Sequence, residues 1–205
     1  MSTENSDGDY WASASLTDVP EIAALARVEL PSMTALHAEA GWTKFNRFGR
    51  GEQVRGNCTL VLRDGGPNGP LIGFIWADDA MYTDHGIAEP WWCINALAIA
   101  PQFRGEGRGT ALVSEVAAVG ALAGVALLYG QSVPNSVSFW NRLGCVLADD
   151  GESIGTHSPA RRVTGEKVML TFEPGPGDRF FVKYLTSAPG SVRSGLLPAS
   201  RLKSL

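Results

Sequence analysis

The decisive stretch reads Pro101-Gln102-Phe103-Arg104-Gly105-Glu106-Gly107-Arg108-Gly109-Thr110. It follows an apolar run over residues 92–100 (WCINALAIA) and precedes Ala111, Leu112, Val116, Val119 and Leu122 at helical spacing. The local order is therefore strand, glycine-rich turn, helix. Glycines at alternate positions let the backbone turn tightly and leave its N–H groups uncovered. A helix start adds unpaired amide donors and a partial positive charge. Together these predict a cradle for a diphosphate. Arg104 and Arg108 bracket it and are placed to add charge-assisted contacts. The dinucleotide pattern G-x-G-x-x-G is not met, because Thr110 stands where the third glycine belongs, and the P-loop pattern is absent.

Outward from this stretch the chain alternates strand and helix signals. Residues 10–16 read as a first strand. Asp18, with Glu21 three residues on, reads as a capping box before the apolar spacing of Ile22, Leu25, Ala26 and Leu30. Pro31 ends that helix, since it supplies no amide donor, and a second short helix is expected over residues 32–40. Residues 57–63 (NCTLVLR) and 71–76 (LIGFIW) flank the turn signal GGPNGP and predict an antiparallel hairpin. Residues 116–141 carry no formal charge, but their apolar part covers only 15 residues. A membrane span needs about 20, and Gln131, Ser132, Pro134 and Asn135 would be costly in hydrocarbon. A buried helix followed by a buried strand is the expectation.

The chain has 205 residues, 44% hydrophobic and 19% charged, which marks a folded domain rather than a disordered chain. A net charge of −4 and a pI near 5.4 exclude a strongly basic nucleic-acid binder as the default. Cys58, Cys93 and Cys145 form no CxxC pair, and His37, His85 and His157 are scattered, so neither a disulfide framework nor a metal site is expected. The N-terminus MSTENSDGDY lacks the features of a secretion signal, and a cytoplasmic location is expected. Residues 1–9 read as a flexible arm and residues 10–173 as the main domain. Residues 174–205 form a Gly/Pro/Ser-rich segment with five basic residues against one acid, whereas residues 1–173 carry 12 basic and 20 acidic residues. Three readings of that segment stay open: a disordered tail, an arm docking on the acidic body or on a second copy of the chain, or a polyanion-binding element.

The run Pro-x-x-Arg-Gly-x-Gly-x-Gly-Thr between strand and helix resembles the acetyl-CoA-binding core of the GNAT superfamily of N-acetyltransferases. Its signature, Arg/Gln-x-x-Gly-x-Gly/Ala, is met at Arg104, Gly107 and Gly109. Downstream, residues 125–133 (VALLYGQSV) resemble the family's fifth strand. Residues 134–145 (PNSVSFWNRLGC) resemble its second motif, an Asn opening a helix that ends in aromatic-x-x-Leu-Gly. The resemblance covers roughly residues 10–172. It implies an α/β (α+β) fold with a mixed, mostly antiparallel central sheet flanked by helices.

Carried over residue by residue, the resemblance implies that Arg104, Gly105, Glu106, Gly107, Arg108, Gly109 and Thr110 hold the CoA diphosphate. Leu97, Ala98 and Ile99 would lie on the strand edge that pairs with the pantetheine arm. One amide there would stabilise the oxyanion of the reaction, an effect of about 3–4 kcal/mol per donor. Asn135 would contact the CoA arm, cap the following helix, or both. The implied activity is acetyl transfer from acetyl-CoA to a primary amine, on a small molecule or a peptide, by direct attack in a ternary complex and without a metal.

The chain departs from the family at two positions. Trp140 stands where most members carry a tyrosine general acid, and Asn95 where a basic glutamate is frequent. The first departure is tolerable, because a thiol with pKa near 8.5 leaves readily as thiolate. Tyr129 is a substitute donor or a core residue. The second touches a harder problem: an amine with pKa near 10.4 is only about 0.04% neutral at pH 7. The acidic segment 78–89 supplies candidate acceptors, Glu89 and Asp84 first, at the mouth where acceptor binds in the family. Two alternatives accompany the enzyme reading. One is a non-catalytic acyl-CoA-binding module. The other is an acyltransferase acting on a protein or nucleic-acid-associated target, steered by the basic tail and the loop at residues 44–55.

Overall fold

Residues 2–4, 8–31, 58–79, 85–185 and 195–203 are described by a computed structural model. They divide into two units, residues 1–78 with 96–116 and residues 79–95 with 117–205. The helix expected over residues 32–40, the basic loop at 44–55 and Asp84 lie outside the described residues.

In the first unit the predicted hairpin is β3 (Cys58–Asp64) paired antiparallel with β4 (Leu71–Asp78). β2 (Asp9–Ser13) pairs antiparallel with β3, and β1 (Ser2–Glu4) with β2. Within residues 1–9, read above as a flexible arm, residues 2–4 form a strand and Asp9 is a buried residue of β2. The C-terminal half of β5 (Trp91–Ile99) lies beside β4, and the Ala100 amide donates to Ile72 O at 2.8 Å. α1 (Val19–Glu29) packs Ile22 and Ala26 on Val61, Phe74 and Trp76 of this sheet. Burying one such isoleucine stabilises by about 1.5–3 kcal/mol. The helix stops before Pro31, with the Leu30 amide on Ala26 O.

The capping box sits one turn earlier than the sequence suggests. Ser15 precedes a 3-10 turn, Leu16–Asp18, and both its amide and its hydroxyl donate to Asp18 Oδ2 at 2.7 Å. Glu21 is thereby free for another partner. Arg63 of β3 donates to Asp18 at 2.5 Å, to Glu21 at 2.9 Å and to Gly69 O at 2.7 Å, which ties α1 to the hairpin.

In the second unit the N-terminal half of β5 runs parallel to β6 (Leu127–Ser132). β12 (Arg179–Tyr184) pairs antiparallel with β6 over six residues and, on its other edge, with β7 (Val146–Leu147). Residues 174–205 thus contribute an interior strand, between β6 and β7. The reason is the apolar triplet Phe180-Phe181-Val182, all of it buried, which needs cover on both faces. Lys183, counted earlier with the basic tail, donates to Leu143 O at 2.7 Å, at the C-terminal end of α3 (Val137–Arg142).

Residues 149–178 form an insertion between β7 and β12. A small sheet orders β11 (Thr171–Phe172), β8 (Ile154–Thr156) and β13 (Leu196–Pro198), followed by the short α4 (Ala199–Leu202). β9 (Ala160–Arg161) and β10 (Lys167–Val168) make a hairpin. The uncharged run of residues 116–141 supplies much of α2 (Arg108–Leu122), all of β6 and the start of α3. Among the described residues no helix is long and apolar enough to cross a membrane.

Candidate active site

The glycine-rich turn belongs to the first unit. Pro101–Phe103 forms a 3-10 turn after β5, and the chain then swings into α2 through Gly105 at φ +86° and Gly107 at φ +83°. Side chains with a Cβ rarely adopt this backbone, so the two glycines are what permit the turn. The Ala111 amide donates to Gly107 O at 2.9 Å, which makes that carbonyl the first acceptor of the helix. The amides of Arg108, Gly109 and Thr110 consequently have no acceptor within the helix. This backbone fits a diphosphate: open amides, a helix start of full length, and no Cβ at Gly105 or Gly107.

The two arginines differ from the expectation. Arg104 donates through Nε to Ile99 O at 2.8 Å and pairs through Nη2 with Glu29 of α1. Arg108 donates to Asp9 at 2.8 Å, pairs with Glu106, and lies over the Phe103 ring at 5.4 Å. Its guanidinium is held charged chiefly by the Asp9 hydrogen bond. Two cations are therefore matched by three carboxylates. What the turn offers an anion is therefore backbone amides and the helix dipole rather than spare positive charge. Leu97 is half-buried, while Ala98 and Ile99 are buried.

A pocket of about 450 Å³ opens in the second unit. The parallel ladder between β5 and β6 lasts three rungs, ending at Cys93↔Tyr129. Beyond that rung the two strands line the pocket with Cys93 and Asn95 on one side and Tyr129 and Gln131 on the other. Phe172 and Glu173, from the insertion, complete the lining used below. Alternation on β5 explains the first pair: Cys93 and Asn95 are half-buried, while Trp92, Ile94 and Ala96 are buried. The Tyr129 and Phe172 rings stack at 6.4 Å and 29°. Gln131 Oε1 accepts the Gly175 amide at 2.8 Å, and Asn95 Nδ2 donates to Cys93 O at 3.4 Å. Burial pushes the Cys58 and Cys145 thiols up to about 11, which disfavours their thiolates, and Cys93 alone of the three lines the pocket.

The remaining sequence candidates lie elsewhere in the second unit. Glu89 Oε1 accepts the Arg161 amide at 2.7 Å, fastening the β9 hairpin. Trp140 is buried and stacks on Phe181 at 3.8 Å and 11°, with Phe139 edge-on at 4.9 Å. Gly130, directly opposite Phe181, makes room for that ring: a Cβ there would lie 2.7 Å from Phe181 and 2.8 Å from Ile94 O. Trp140 is thus packed in an aromatic cluster with Phe139 and Phe181. Asn135 is exposed in a 3-10 turn, and the residue at the N-cap of α3 is Ser136, which corrects the capping expectation. Sequence reasoning did not single out Glu173, Gln131 or Asp9. Nothing local marks them: Asp9 and Gln131 meet their partners, and Glu173 its place in the pocket lining, only through distant pairing.

The sequence matches the family model for the acetyltransferase (GNAT) family over residues 22–145. The chain belongs to the GNAT acetyltransferase family, and its fold is that family's mixed, mostly antiparallel sheet with helices. Among solved structures it is similar to the PaiA N-acetyltransferase from Thermoplasma acidophilum in complex with coenzyme A. That pair shares 14% identity over 86% of this chain and 98% of the other, with a TM-score of 0.59. It is also similar to a GNAT family N-acetyltransferase, YhbS, from Escherichia coli in complex with CoA, at 19% identity over 90% and 85%, TM-score 0.57. A third is NAA60 from Arabidopsis thaliana with a bisubstrate analogue, at 15% identity over 86% and 97%, TM-score 0.55. None of the curated proteins matches the chain in sequence.

Proposed function

We propose that the protein transfers an acetyl group from acetyl-CoA to a primary amine, by direct attack in a ternary complex. The observation that carries this reading is the turn through Gly105 and Gly107 into α2, which leaves three successive helix-start amides open to an anion. The CoA diphosphate would sit on the amides of Arg108, Gly109 and Thr110. Arg104 would fix the turn through Ile99 O and Glu29 rather than contact phosphate. Leu97, Ala98 and Ile99 carry the amides assigned to the pantetheine arm and the oxyanion, and Asn135, an exposed residue, is assigned a contact with the CoA arm. Rate enhancement would come from positioning and from the oxyanion amide.

Coenzyme A and acetyl-CoA titrated calorimetrically into the full chain test the first half of this reading. Thiol release in the presence of a panel of polyamines, amino acids and peptides tests the second. Binding and thiol release together support it, and no heat of association with either compound overturns it. A second reading is favoured by Trp140 and Asn95, neither of which can trade a proton in the place of the family's tyrosine and glutamate. It is a module that holds acyl-CoA without turnover, and binding with no thiol release across the panel is its expected signature.

A further inference from the structure

We propose that Glu173 is the proton acceptor for the attacking amine, and that the pocket between Tyr129, Phe172 and Glu173 takes that amine as an ammonium ion. The proposal rests on the acetyl-transfer reading above and supplies what that reading lacks. An amine of pKa about 10.4 must lose a proton before its nitrogen can attack. Asn95, at the family's position for a base, cannot accept one. The Glu89 carboxylate is engaged by the Arg161 amide and does not line the pocket. Among the residues lining the pocket the titratable side chains are Cys93, Tyr129 and Glu173, and Glu173 is the carboxylate.

The backbone that carries Glu173 is anchored on both sides along the chain. Thr171 and Phe172 pair with Gly155 and Ile154 of β8, and the Phe172 ring stacks on Tyr129. Two residues past Glu173, the Gly175 amide is bonded to Gln131 of β6 at 2.8 Å. Glu173 is therefore fixed between two anchors on the insertion, with an exposed side chain at the pocket. The chemistry of the lining matches a cationic amine on an apolar stem. The aromatic faces of Tyr129, Phe172 and Phe180 favour an ammonium group and its methylenes, and the carboxylate supplies the counter-charge. In the step itself one ammonium proton moves to a Glu173 oxygen and the freed nitrogen attacks the thioester carbonyl of acetyl-CoA. The C–N bond forms, the C–S bond breaks, and the second nitrogen proton passes to the leaving thiolate. Glu173 then releases its proton to water.

The test uses the full chain as wild type, Glu173→Gln and Glu173→Asp, with phenethylamine, spermidine and a lysine-containing peptide as basic acceptors and methoxyamine as a weakly basic one. Wild type is expected to acetylate at least one basic acceptor. Glu173→Gln is expected to lower kcat/KM for it by about 10²–10⁴-fold with CoA affinity unchanged, and Glu173→Asp to fall between the two. The Gln variant's log kcat/KM should rise with unit slope toward the amine pKa, tracking the free base, where wild type is flat. Methoxyamine, already neutral at pH 7, should lose far less. Wild-type rates and pH profile in Glu173→Gln overturn the proposal, and so does failure of CoA-bound wild type to acetylate any basic acceptor. Failure of wild type to bind CoA overturns instead the reading beneath it.

Discussion

The two units assign their charges and their backbones to opposite tasks. In the first, both arginines of the glycine turn are spent on carboxylates and a carbonyl, and the proposed ligand-binding feature is bare backbone: Arg104 on Glu29 and Ile99 O, Arg108 on Asp9 and Glu106. In the second, side chains from four separated segments line the pocket. A backbone cradle suits a ligand part that never varies, since amides and a dipole are indifferent to the side chains around them. A side-chain pocket suits a ligand part that differs between enzymes, since each position can be exchanged.

The largest blow to this contrast would fall on the second unit's aromatic stack. Trp140→Ala should lower stability by about 3–5 kcal/mol in urea unfolding, whereas Trp140→Tyr should recover part of it without speeding thiol release. A marked gain in turnover with tyrosine would show that the position faces the reaction after all. Next comes the Arg63 network of the first unit, whose Arg63 and Asp18 side chains are only 11% and 12% exposed. Arg63→Met strands the carboxylate of Asp18 and should cost about 2–4 kcal/mol by the same measurement.

That network also has a pH signature. Burial alone would raise the Asp18 carboxyl, but hydrogen bonds from Arg63 and Ser15 outweigh it and hold the group below its ordinary 3.8. The Arg63 hydrogen bond, opposed by desolvation, likewise holds Glu21 below 4.5. Groups depressed in the folded state add stability above those ordinary values and lose it as pH falls through the lowered ones. Wild type should therefore lose stability on acidification below that range, and the loss should be shallower in Arg63→Met.

Smaller effects sharpen the cradle itself. Gly107→Val forces a β-branched residue to φ +83° at a position with open space around it. Strain of about 1–3 kcal/mol should appear as CoA affinity reduced by about tenfold or more in calorimetry. An unchanged affinity would move the diphosphate elsewhere. The smallest shift is expected from Glu29→Gln, which releases Arg104 from its carboxylate. A guanidinium freed at the surface is worth at most about 1 kcal/mol, so CoA should bind up to about fivefold tighter, and the gain should vanish in high salt.

How far the amino-acid order reached depends on how local each determinant is. The turn at Gly105 and Gly107, the hairpin around GGPNGP and the uncharged run that becomes α2 and β6 are contiguous, and each was readable because its geometry depends on neighbours in the chain. The capping box was displaced by one turn, because Arg63, 42 residues from Glu21, claims the side chain that would have closed it. Residues 179–184 were read as part of the basic C-terminal segment rather than as an interior strand, since only pairing with β6 and β7 gives them that place.

Sequence alone therefore pointed to the family, the fold class and the glycine turn that leads into α2. Only the tertiary structure decided that Trp140 is packing, that the arginines of the turn are already partnered, and that residues 93–95, 129–131 and 171–173 line one pocket. The physical reason is range: propensities, glycine φ angles and helix starts act over a few residues. Burial, ion pairing and pocket lining are set by which distant segments the sheet brings together.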